Sequence, residues 1–375
     1  MRVVFWKGKV RAKTLGIIDS CRADELVTYL SIKDYFVINI RKEVIYFVPI
    51  CLAILRYFFA KKNLPLTWFY IAEVIKFLGL KQVISFQDNN PVLYRLKTDL
   101  GLTVKVFVIQ NAWRSYAGDL PILWDQERDA KREIDVFFGF NESIVGYYIE
   151  RVNCKGVVVG SLKCAHFNRD FLIRDYGSHE NIAYISQVER LVDDHKLLCP
   201  VLRIPLKDSC ITDFRCLKII DHYCFSRNLS LSIIMRSDRD EEGRLYSALR
   251  LRSRWDLVPR KSLFSSYQAM FKSAAVVCTD STLGYESLSL GLKTFFVSAR
   301  DKQIGTCGFQ FGWPSELGAN LPFTLDSFDQ HLFDIKLTSV LNMSVSDWHE
   351  TVESCKHLVP LVRDAKEKIL QEIGD

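Results

Sequence analysis

Short apolar runs recur along the chain, and each one ends in a polar cluster. Residues 81–86 lead into Gln87-Asp88-Asn89-Asn90, and 104–109 into Gln110-Asn111-Ala112-Trp113-Arg114. Residues 136–140 lead into Asn141-Glu142, and 156–159 into Gly160-Ser161. Farther on, 182–185 lead into Ser186-Gln187 and 229–235 into Arg236-Ser237-Asp238. Residues 274–278 lead into Thr279-Asp280-Ser281-Thr282, and 294–297 into Ser298-Ala299-Arg300. The runs are continuous and often β-branched, as strands buried on both faces of a parallel sheet must be. Between them, 66–78, 141–152, 213–228 and 264–272 carry apolar residues at helical spacing. Strand alternating with helix predicts an α/β fold, and such sheets bind ligands at the carboxyl ends of their strands. Those ends are where this chain keeps its polar residues.

The units fall in two sets of four, up to about residue 165 and from about 180 to 345, with the polar connector Cys164–Glu180 between them. The pattern predicts two Rossmann-like domains, 1–165 and 180–345, facing each other across a cleft. Residues 346–375 are expected to form C-terminal helices, the last packing back on the first domain.

Residues 44–60, VIYFVPICLAILRYFFA, stand apart. The segment is short for a bilayer span and contains Pro49 and Arg56, which excludes a transmembrane helix. Two readings stay open: a buried helix, or an interfacial helix whose following Lys61 and Lys62 meet lipid headgroups.

Length and composition narrow the class. A chain of 375 residues exceeds one ordinary core and suits two domains. With 49% hydrophobic and 25% charged residues it is a folded protein, not a disordered one. A net charge of +6 suits anionic ligands or a membrane surface but is too weak for nucleic acid. The eleven cysteines include no C-x-x-C pair, so neither a zinc site nor a disulfide framework is expected. Cys51, Cys199 and Cys278, flanked by apolar residues, read as core thiols in a reducing cytosol. Met1-Arg2 opens onto a short strand-like run and not a secretory leader, so a cytoplasmic protein is expected.

Three constellations could carry chemistry. In the first, a buried run feeds the hydroxyl-rich turn 279–282 and then a helix, whose first N–H groups and dipole form an anion site. Ser281 and Thr282 would add hydroxyl donors, Asp280 would also lie at the nucleotide, Gly284 would let a ligand approach the backbone, and Glu286 would bind a vicinal diol such as a ribose. The alternative is simple capping, with the N-cap at 280, 281 or 282. A capping box would then need Glu at 283, 284 or 285, and Glu286 lies one step beyond. In the second, Arg236 at a strand's end would fork onto a phosphate or, alternatively, pair with Asp238 or Asp240. The surrounding RSDRDEEGR reads as a solvated loop, and its D-x-D is not taken as a metal site. In the third, Gln87–Asn90 and Gln110–Arg114 follow consecutive strands and should be neighbours. Asp88 there would be a general base, or these residues build turns. No G-x-S-x-G, H-E-x-x-H or P-loop motif occurs.

Taken together, DSTLGYESLSLG, QDNN, QNAWR, VVVGSLK and FGWPSELG resemble bacterial surface carbohydrate biosynthesis proteins, GT-B-like glycosyltransferases of O-antigen and capsule loci. The resemblance runs from about residue 80 to 325; Ala112 departs from the glycine of a QNGWR-like form. It implies a GT-B fold and transfer of a sugar from a UDP- or CMP-linked donor to a lipid-linked or growing glycan, and the basic balance and the 44–60 segment suit work at the inner face of the membrane. It places Ser281, Thr282, Gly284 and Glu286 at the donor nucleotide, with Ser186 and Arg236 near its phosphates. Asp88, Asn89, Asn90, Gln110, Asn111 and Arg114 fall on the acceptor side. No metal or other cofactor is expected. A nucleotide-sugar 2-epimerase, a polyol-phosphate transferase and a non-catalytic sugar-nucleotide-binding protein stay open on the same fold.

Overall fold

The computed structural model describes residues 2–4, 14–40, 44–60, 65–97, 103–113, 131–168, 180–187, 206–236, 240–262, 264–279, 281–298, 321–355 and 364–374. They form two compact units. Among the described residues the first unit holds those up to Ala112, 131–166 and 364–374; the second holds Trp113 and 167–355.

The first unit contains β1 (Arg2–Val4), β2 (Leu15–Ile18), α1 (Ala23–Leu30), β3 (Tyr35–Ile38), β4 (Val44–Tyr46), α2 (Phe47–Phe59) and α3 (Leu66–Leu78). It continues with β5 (Gln82–Ser85), β6 (Lys105–Ile109), β7 (Glu133–Gly139), α4 (Glu142–Ile149), β8 (Asn153–Val158) and most of α5 (Leu162–Asn168). Six parallel strands lie in the order β3-β2-β5-β6-β7-β8, and β1 pairs with β4 in a separate ribbon. Asn141 starts α4 by accepting the Ile144 N–H at 2.8 Å. Gly79, at φ 70°, ends α3 in the left-handed conformation that glycine reaches without strain.

The second unit contains β9 (Asn181–Ile185), α6 (Leu206–Ser226), β10 (Ser230–Ile234), α7 (Asp240–Ala248), β11 (Arg254–Val258), α8 (Ser265–Phe271), β12 (Ala275–Cys278) and α9 (Thr282–Ser289). Then follow β13 (Thr294–Val297), β14 (Thr324–Leu325), α10 (Gln330–Asn342) and α11 (Val345–Glu353). The last helix, α12 (Ala365–Gly374), belongs to the first unit, where the Gln82 amide donates to the Ile373 carbonyl at 2.9 Å. The strand order is β11-β10-β9-β12-β13-β14, all parallel. The chain therefore builds outward from β9 to β11, returns to the other side of β9, and builds outward again from β12. The crevice between β9 and β12 is a topological switch point, where open α/β sheets bind ligands. The first unit has its own switch point between β2 and β5.

Helix α2 overturns two expectations. Only Pro49 and Ala53 of its thirteen residues are buried, so the buried-helix reading of 44–60 fails. Cys51 is exposed on it and is no core thiol, whereas Cys278 is buried and Cys199 lies outside the described residues. The reason is the pairing with α3, which is buried along most of its length and meets α2 through the Arg56–Glu73 ion pair and the edge-on contact of Tyr57 with Phe69.

Candidate functional site

At the second unit's switch point, β12 leads into Thr279, which is buried. Ser281 is the N-cap of α9, its Oγ accepting the Leu283 N–H at 3.3 Å. Capping is therefore part of what the turn does, and Glu286 sits beyond the capping-box position. Thr282 Oγ1 accepts the main-chain N–H of Trp113 at 2.8 Å, and the Trp113 ring lies on Tyr285 with centroids 3.8 Å apart. Trp113 thus covers one side of the first turn of α9. Asp280 lies outside the described residues.

One turn into α9, Glu286 is buried, and its Oε2 accepts the Tyr267 hydroxyl at 2.8 Å. Tyr267, on α8, stacks on Phe167 at 4.7 Å. The carboxylate is held in one orientation, which a diol-binding group requires. Gly284 is a packing residue of α9. It is buried, and a Cβ there would collide with Cys278 Sγ and press on Phe296. It lets α9 pack closely on β12 and β13.

Beside this turn, the loop after β9 is pinned by two acids. Asp213 Oδ1 accepts the Tyr184 hydroxyl at 2.7 Å and the Gln187 N–H at 3.3 Å. Burial, reinforced by the Asp213 charge, pushes the Tyr184 phenol well above its ordinary range. On α7, Glu242 Oε1 accepts the Ser186 hydroxyl at 2.7 Å and the Arg236 N–H at 3.0 Å, while Tyr246 donates to Ser186 Oγ. Ser186 is thus committed to a buried carboxylate, an arrangement that favours loop anchoring over a phosphate contact. Arg236 is exposed, and its guanidinium reaches the Gln187 carbonyl at 3.5 Å. The solvated-loop reading of RSDRDEEGR needs correction: residues 240–248 are helical and Glu242 points inward. Asp238 lies outside the described residues.

In the first unit, the QDNN and QNAW clusters are neighbours, and they bind each other. Asp88 is fully buried; one carboxylate oxygen accepts the Asn111 N–H at 3.0 Å and the other the Tyr148 hydroxyl at 3.1 Å. The Asn111 amide donates to the Phe86 carbonyl at 2.7 Å, and Gln110 Oε1 accepts the Phe140 N–H at 2.8 Å. Asn90 accepts the Val92 N–H at 3.1 Å in a local turn, and Asn89 is exposed. The geometry favours the turn-building alternative for Asp88, Asn90, Gln110 and Asn111 over direct chemistry. Arg114 lies outside the described residues.

Residues 107–367 match the family model described as "putative O-antigen biosynthesis protein", well over half of the chain. The chain belongs to this family. Among curated proteins, none matches the sequence. Three solved structures share the fold of this chain. S. aureus MnaA in its co-structure with UDP is 12% identical, with TM-score 0.56, covering 96% of this chain and 95% of that one. UDP-GlcNAc 2-epimerase from Neisseria meningitidis, bound to UDP-GlcNAc, is 11% identical, with TM-score 0.54 and coverage of 100% and 99%. The wall teichoic acid polymerase TagF, an H444N form with CDPG, is 11% identical, with TM-score 0.53 and coverage of 97% and 89%. At such identities the likeness establishes the fold. It is GT-B, built from two Rossmann-like domains, each here a six-stranded parallel sheet.

The chain also carries groups at the first unit's switch point that the apolar-run pattern did not single out. Asp19 follows β2, is buried, adopts φ 80°, and accepts the Cys21 N–H at 3.0 Å. Arg22, three residues on, adopts φ 65°. Left-handed backbone at two non-glycine residues in one loop is costly and clusters at functional positions. The signal was Ile18-Asp19-Ser20, a polar cluster after a short apolar run like the others.

Proposed function

We propose that this O-antigen family member is a glycosyltransferase that moves a sugar from a UDP- or CMP-linked donor to a lipid-linked or growing surface glycan, at the cytoplasmic face of the membrane. The observation that supports it is the coincidence, at the β9/β12 switch point, of an α-helix N-terminus, the hydroxyls of Ser281 and Thr282, and the rigidly held Glu286. The helix terminus and the exposed Arg236 would carry the charge of the leaving phosphate without a bound metal. Glu286 would take the ribose hydroxyls. Asp19 and Arg22 in the first unit are the proposed acceptor-side groups, with Asp88 positioning the neighbouring loop.

A second reading, nucleotide-sugar 2-epimerisation, draws on the likeness to the Neisseria meningitidis UDP-GlcNAc 2-epimerase, which holds UDP-GlcNAc. Incubation with UDP-, GDP-, CMP- and dTDP-sugars, with and without a glycan acceptor, separates the two. Acceptor-dependent release of nucleotide supports transfer. An epimer formed without acceptor supports the second reading and ends the first. Nucleotide binding with neither product leaves a non-catalytic sugar-nucleotide-binding protein.

A further inference from the structure

Helix α2 presents the largest concentration of exposed apolar side chains among the described residues. Phe47, Leu52, Leu55, Phe58 and Phe59 are all exposed, the last two at 76% and 84%. Folded chains rarely leave such a contiguous patch to water unless something covers it. The helix contains no acidic residue, and its one basic residue, Arg56, pairs with Glu73 on α3. That pair fixes the buried side of α2 on α3 and leaves the aromatic end outward. The sequence on either side is basic: residues 41–62 contain Arg41, Lys42, Arg56, Lys61 and Lys62 against Glu43 alone.

We infer that α2 is a membrane-surface anchor that inserts its outward face among the headgroups of an anionic bilayer. Thirteen residues make a rod of about 20 Å, too short to cross a hydrocarbon core of about 30 Å, but enough to lie in the interface. Among the described residues no helix is long and apolar enough to cross a membrane. Apolar burial supplies the attraction, and basic flanks suit an anionic surface. Charge selects lipid over a second copy of the chain, because a two-fold contact through α2 would bring two equally basic flanks together. The anchor goes beyond the transfer reaction: it stands whether the chain transfers or epimerises a sugar.

Flotation of the purified full chain with vesicles of phosphatidylglycerol and phosphatidylethanolamine tests this. The wild type should float with these vesicles and less with pure phosphatidylcholine. Phe58→Ser with Phe59→Ser should weaken binding by about tenfold or more, since losing the burial of one aromatic side chain is worth at least that factor. Both positions are exposed, so the double variant should keep its thermal transition. A second readout needs no variant: Cys51 on α2 should lose its reaction with a water-soluble maleimide, followed by peptide mass spectrometry, when anionic vesicles are added. Wild type that stays with the protein fraction, a double variant that floats equally well, or Cys51 that labels equally with and without vesicles would overturn the inference. So would an oligomer that the double variant converts to monomer while the wild type ignores lipid, because α2 would then be a contact between copies.

Discussion

Trp113 lies flat on Tyr285, ring planes 9° apart, while its main-chain N–H reaches Thr282 Oγ1 at 2.8 Å. A residue from the QNAW cluster, placed on the acceptor side by resemblance, therefore packs on the helix whose N-terminus is the candidate phosphate cradle. Trp113→Ala should destabilise the second unit by about 3 kcal/mol, as for loss of a largely buried aromatic. A cycle with Tyr285→Ala, followed by urea unfolding, should show a coupling of about 0.5–1.5 kcal/mol. Additive effects would show that the stack contributes nothing of its own.

Tyr267 holds Glu286 and touches no ligand in the proposed scheme. Tyr267→Phe removes one hydrogen bond and should cost about 1 kcal/mol of stability. Its distinctive effect should be on nucleotide affinity, lowered several-fold with the sugar preference unchanged. Calorimetry on the folded variant checks this, and unchanged affinity would make Tyr267 a packing residue only.

Gly284 is a helix-to-strand contact point. Gly284→Ala would push its methyl into Cys278 Sγ and should destabilise by about 1–3 kcal/mol, the usual cost of overpacking. Cys278→Ala, introduced with it, should recover part of the loss by removing the colliding sulfur. Thermal melts of the single and double variants decide; no rescue would place the strain elsewhere.

Asp88→Asn separates a structural tie from a general base. An amide puts donor hydrogens in place of one of the two carboxylate oxygens, which accept from Asn111 and Tyr148, so stability should fall by about 1–3 kcal/mol. At a temperature where the variant is folded, most of the turnover should return. A folded variant with normal melting and no turnover would restore Asp88 as the base.

Burial, with a smaller contribution from Asp221, pushes the Cys224 thiol up to about 12. In the unfolded chain a thiol titrates near about 8.5. Between these values the folded state keeps a proton that the unfolded state has lost, so stability falls as pH rises through that window. Below it, the contribution is fully present. Unfolding free energies from pH 8 to 11 should decline for the wild type and more gently for Cys224→Ala; parallel curves would contradict the assignment.

Strands β5, β6, β7, β9, β10, β12 and β13 were legible because each is a largely buried run of mostly apolar residues. The strands that pattern misses are β2 and β3 in the first sheet and both edges, β11 and β14, of the second. β11 alternates, with Arg254 and Asp256 exposed, and β14 has two residues, so neither is a continuous apolar run. The nearness of QDNN to QNAW was legible too, since both follow adjacent strands. Their purpose was not, because the partners Phe140 and Tyr148 come from elsewhere in the chain. Glu242 was hidden for a related reason: composition cannot say which acid in RSDRDEEGR turns inward once a helix forms.

The claim that a nucleotide-sugar sits at the β9/β12 switch point is tested most directly by calorimetric titration of the nucleotide panel into wild type and Glu286→Ala. One nucleotide should bind the wild type, and the folded variant should bind it about tenfold more weakly or worse, a loss of about 1.4 kcal/mol or more. A wild type that binds none of them, or a folded variant that binds as tightly as the wild type, would contradict it.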